Sequence, residues 1–77
     1  MMGNVSKELV NMLRYEAVAQ RAKALLTLKL LSENAAGIGD HSTGDFYKNA
    51  EEALQMLVDA DDKLETLLKY FPNENLS

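Results

Sequence analysis

Eight apolar residues in the second half of the chain follow one another at intervals of 4, 3, 4, 3, 4, 3 and 4: Phe46, Ala50, Ala53, Leu57, Ala60, Leu64, Leu67 and Phe71. That spacing belongs to a helix that lays one narrow apolar seam against another helix. A strand cannot satisfy it, because side chains of a strand change face at every residue. Half of the interior seam positions are alanine, so the partner helix can approach closely.

The partner lies in the first half. Two long segments, the first without Gly or Pro and the second with only Gly44 at its start, flank Gly37-Ile38-Gly39-Asp40-His41-Ser42, which holds two of the four glycines. The expected layout is a helix over 7–35, a loop over 36–42, a helix over 43–70 and a frayed tail over 72–77. Ser6 reads as the first N-cap, with Val5 and Val10 as a hydrophobic staple and Glu8 in the first turn. Ser42, three residues before Asp45, reads as the second cap, with Thr43 as its alternative. Lys69 suits a C-terminal turn and Pro72 ends the helix. Two helices of about 42 Å joined by a short loop make an antiparallel hairpin.

An antiparallel pair matches residues whose numbers have a constant sum, near 81 when centred on the loop. On that register Val10 meets Phe71, Ala17 meets Leu64 and Ala24 meets Leu57. Leu28 then meets Ala53, Leu31 meets Ala50 and Ala35 meets Phe46. Large faces small at nearly every layer, which fills a core without voids. Leu13 belongs to the same face of the first helix. Arg14 and Arg21 fall beside Leu67 and Ala60, with stems over the seam and heads in water. Residues 1–39 carry five basic and three acidic side chains, net +2, and residues 40–77 carry three and nine, net −6. The two helices therefore attract, though each exposed pair contributes only about 0–1 kcal/mol.

A chain of 77 residues without cysteine cannot staple a small core with disulfides or a thiolate zinc site. The remaining remedy is assembly. Met12, Tyr15, Ala19, Ala22, Leu26 and Leu30 form a second apolar stripe on the first helix, flanked by Val18 and Leu25. Tyr47, Leu54 and Leu68 recur every seven residues beside the seam of the second. These nine residues are the expected interface of a homodimer, a four-helix bundle made of two hairpins, with a heterologous protein as the other candidate occupant. Net charge −4 disfavours generic nucleic-acid or anionic-membrane binding, and no apolar run spans a membrane. No signal pattern opens the sequence, so the expected location is the cytoplasm.

Candidate chemistry is thin. His41 with Ser42 and Asp45 lacks the dispersed placement of a catalytic triad, and reads as a loop residue beside capping groups. The Gly37-Ile38-Gly39 turn precedes a helix N-terminus, yet lacks the lysine and spacing of a phosphate loop. Asp59, Asp62 and Glu65 at i, i+3, i+6 invite comparison with magnesium-dependent all-α nucleotide pyrophosphohydrolases. The facing helix offers only Glu8, Glu16 and Glu33, spaced too widely to complete such a site, and the Glu-x-x-His of di-iron bundles is missing. Neither a metal nor a cofactor is expected. Asp61 interrupts the Tyr47, Leu54, Leu68 row and invites Arg21, or an arginine across a dimer.

The block from Gly37 through Asp40-His-Ser-Thr-Gly-Asp-Phe-Tyr-Lys-Asn-Ala-Glu-Glu-Ala to Leu54, with Val58-Asp-Ala-Asp-Asp-Lys-Leu64, resembles small orphan proteins of marine T4-like cyanophages. The similarity covers most of the chain. That family has no assigned activity, so no functional residues carry over. The resemblance implies an accessory protein acting in the host-cell cytoplasm. The expected function is non-enzymatic protein–protein interaction; the alternatives are the metal-dependent hydrolase and a small virion component.

Overall fold

The computed structural model describes residues 2–33 and 43–72. They form two helices, α1 over Met2–Glu33 and α2 over Thr43–Tyr70, and no strand occurs among the described residues. The helices lie side by side in a rod 57 Å long and 16 by 14 Å across. The fold is an all-α antiparallel helical hairpin. Lys63 Nζ donates to Gln20 Oε1 at 3.2 Å, and Arg21 Nη1 lies 4.0 Å from Asp61 Oδ1. The residue numbers of these pairs sum to 83 and 82, close to the 81 set by the loop position.

The α2 seam forms as its spacing dictates. Ala53, Ala60 and Leu67 are buried, and Phe46, Ala50, Leu57 and Leu64 are half-buried. Phe71, at the open end, stays 44% exposed, because only Val10 stands opposite it on this register. Asp45 lies in the first turn of α2 and Lys69 in the last, each complementing the local helix dipole. Phe71 N donates to Leu67 O at 2.8 Å, which extends the helical bonding one residue past Tyr70. Pro72 follows, without an N–H to continue it.

The seam of α1 departs from expectation at one position. Val10, Arg14, Ala17 and Ala24 are buried, and Arg21, Leu28 and Leu31 are half-buried. These positions again alternate 4, 3, 4, 3, 4, 3. Leu13 is not a member; it is 39% exposed, and Arg14 takes the layer opposite Leu67. The reason is helical phase. A residue one place ahead of the seam points about 100° away, and an apolar side chain there does not rotate the whole helix against six correctly phased neighbours. Arg14 also departs from the picture of a head in water. It is 8% exposed, and its head turns back one turn, the direction in which helical side chains lean, so that Nη1 donates to Asn11 Oδ1 at 3.0 Å. Arg21 behaves as expected, with 43% of its side chain exposed.

The start of α1 is a second correction. The helix begins at Met2, so Ser6 lies inside it and cannot be the N-cap, and Glu8 falls beyond the first turn, which contains no acidic residue. Val5 accordingly does not precede the helix as a staple requires. Extending an existing helix fixes one residue per added bond, so a weak former such as Gly3 does not stop it as it would stop nucleation. The loop expected over 36–42 lies outside the described residues. So do Ala35, the Ser42 cap, His41, the Gly37–Gly39 turn and the tail from Asn73 onward. No helix among the described residues is long and apolar enough to cross a membrane.

Candidate functional site

In each helix the residue after a seam position points to one side of the hairpin and the residue before it to the other. Because the helices run antiparallel, the two "after" sets share a flank, and so do the two "before" sets. The bond between Gln20 and Lys63, each immediately before a seam residue, lies on the second of these flanks.

The two flanks differ in chemistry. The "before" flank is largely polar along its middle, with Glu16, Gln20, Lys23 and Thr27 on α1 and Asn49, Glu52, Asp59, Lys63 and Thr66 on α2. Two shallow grooves lie here, one lined by Leu13, Glu16, Ala17, Asp62, Lys63 and Thr66, the other by Lys23, Thr27, Asn49, Glu52 and Met56. The "after" flank carries Tyr15, Val18, Ala22 and Leu25 on α1 and Tyr47, Leu54, Val58 and Leu68 on α2, all exposed. Near its middle Arg21 meets Asp61, the pairing that the interrupted heptad row anticipates. Tyr47 also packs edge-on against Phe46, with ring centroids 5.8 Å apart and planes at 66°, so its ring is held at the seam margin.

All nine residues of the expected interface are exposed on the hairpin, but they do not form one patch. Tyr15, Ala22, Tyr47, Leu54 and Leu68 share the apolar flank. Met12, Ala19 and Leu26 lie on the back of α1, directly opposite its seam, and Leu30 lies toward the polar flank. Val58, four residues after Leu54 on the apolar flank, belongs with the patch. Its signal in the sequence is its place immediately after a seam leucine.

The acidic residues do not assemble into a metal centre. Gln55 Nε2 donates to Asp59 Oδ1 at 2.9 Å on the exposed face of α2. Asp62 instead lines a groove together with Glu16 from α1 and Lys63. Among the described residues no three His, Asp or Glu side chains come together in a metal-holding group. No family model, curated protein or solved structure matches this chain.

Proposed function

We propose that this chain is a small helical interaction module, non-enzymatic, whose apolar surface takes a second copy of itself. One observation carries the reading. Fourteen large apolar side chains are exposed among the described residues, and none of the large side chains is fully buried. The six buried apolar residues are four alanines, Val10 and Leu67. The hydrophobic surface of this chain is thus mostly on its outside.

The total area agrees. A compact monomer of 8.6 kDa exposes roughly 4,700 Å² by the usual mass scaling, whereas this hairpin exposes 5952 Å². The excess of about 1,250 Å² goes with the rod shape, which leaves both flanks of the hairpin open to a partner. In the infected-cell setting implied by the cyanophage resemblance, such a module would act by occupying protein surfaces, its own included.

Sedimentation equilibrium tests the proposal. The wild-type chain is expected at twice its monomer mass. Leu54 is 53% exposed on the apolar flank, so Leu54→Glu should leave the fold possible while placing a charge in the contact. It is expected to move the species toward monomer or to unfold it. A wild-type chain of monomer mass, with a melting temperature unaffected by Leu54→Glu, would refute self-association.

A further inference from the structure

We infer that the second copy docks on the flank bearing Tyr15, Leu25, Leu54 and Leu68, about a two-fold axis running along the rod, so that the Glu33–Thr43 ends of both hairpins lie together. This rests on the self-association proposed above and specifies its geometry. Both helices share this flank along the 28 residues of α2, about 42 Å, so at 16 Å across it presents roughly 670 Å² in projection, approaching the ~800 Å² per partner of a standard interface. Two dyads are compatible with face-to-face packing. One runs along the rod and sets α1 of each chain against α2 of the other. The other runs across the rod, reverses one hairpin, and sets α1 against α1 and α2 against α2.

Charge chooses between them. On this flank α1 contributes Arg21 and Lys29, and α2 contributes Glu51, Asp61 and Glu65. The axis along the rod keeps every residue at its own level. Arg21 of one chain then reaches Asp61 of the other, and the existing Arg21–Asp61 contact becomes a four-membered ring of alternating sign. Lys29 comes level with Glu51 of the other copy, since their numbers sum to 80, one short of the loop-centred register. Leu25 and Leu54 of both copies close one apolar layer, and Tyr15 and Leu68 another. The axis across the rod brings the acidic edge of α2 against its own copy and Arg21 against Arg21. Complementary charge fixes register and orientation at interfaces of this kind, while like-charge contact is penalised.

Two measurements on the full chain decide it. In the first, Lys29→Glu and Glu51→Lys, both exposed on the hairpin, are each expected to weaken the dimer about tenfold, and an equimolar mixture to restore it as a heterodimer. In the second, Lys48→Cys carries a spin label. Lys48 lies 13 residues from Asp61, so reversed hairpins would separate the labels by about 40 Å along the rod. Hairpins with ends together leave only the bundle width, and a label distance of about 35 Å or less is expected. A dimer with labels at about 40 Å or more, or a mixture that is not restored, overturns the arrangement and leaves self-association standing. A chain that stays monomeric, its flank left for a different protein, overturns both.

Discussion

Arg14 is the most informative single position in the hairpin. It sits in the seam opposite Leu67, only 8% exposed, with Nη1 bonded to Asn11 and Nη2 buried without a hydrogen-bond partner. Arg14→Met keeps an unbranched stem in the same place and removes the guanidinium. The variant loses one charge-assisted bond to a part-buried amide, about 1.5–3 kcal/mol at most. It is relieved of a buried cation whose effective desolvation amounts to several kcal/mol and of an unmade hydrogen bond of about 1–3 kcal/mol. The balance favours methionine by about 1–3 kcal/mol, in line with apolar replacement of buried charges elsewhere. For a domain of this size each kcal/mol moves the melting temperature by about 4–8 °C, so a rise of about 4–24 °C is expected. The assay is thermal and urea unfolding followed by circular dichroism at one fixed protein concentration, since association also raises apparent stability. An Arg14→Met chain less stable than wild type would show that the guanidinium is a net stabiliser of the seam and refute the reasoning.

Ala60 is fully buried at the layer shared with Arg21, so Ala60→Leu should overpack the seam and lower stability by about 1–3 kcal/mol in urea titrations. Gly44 lies in the first turn of α2 without a positive φ, and a β-carbon added there would meet nothing within 4 Å, so Gly44→Ala should raise stability by about 0.5–1 kcal/mol. Magnesium or manganese titration should leave the melting temperature unchanged in wild type and in Asp62→Asn alike; a large rise abolished by Asp62→Asn would support the hydrolase.

What is legible in the sequence is whatever depends on period. The seam of α2 follows from its spacing, the register near 81 from the position of the loop, and the end of α2 from Pro72. The meeting of Asp61 with Arg21 follows from the same geometry, because a charge in an apolar row at a fixed layer has few places to go. For Arg14 the register gives the layer beside Leu67 but not the fate of its head, which is buried and bonded to Asn11 instead of lying in water. Choosing seam residues by hydrophobicity selects Leu13, whereas choosing them by phase selects Arg14, and phase prevails because a rigid helix buries whole rows. The start at Met2 is hidden because Ser6 carries a sound capping signature that only matters if the helix stops there. Leu30 and Met12 look like one stripe in the sequence and share a direction on a helical wheel, but the seam repeats every 3.5 residues and winds past it, so Leu30 comes to lie immediately before a seam residue while Met12 lies opposite the seam.

The alanines tie fold and assembly together. Ala17, Ala24, Ala53 and Ala60 let the helix axes approach closely, and all are buried almost completely. Each removes little more than one methyl from water, about 0.8 kcal/mol, against about 1.5–3 kcal/mol for a buried leucine. A seam built this way specifies which helix meets which, at which register, while contributing little stability of its own. The leucines that could contribute more, Leu25, Leu26, Leu54 and Leu68, stand outside it. A hairpin with an accurate but thin seam and a thick apolar exterior gains most of its hydrophobic stabilisation only when that exterior is covered. Under the proposed self-association, folding and association form one coupled equilibrium, in which the alanine seam sets the shape and the outer leucines set the stability.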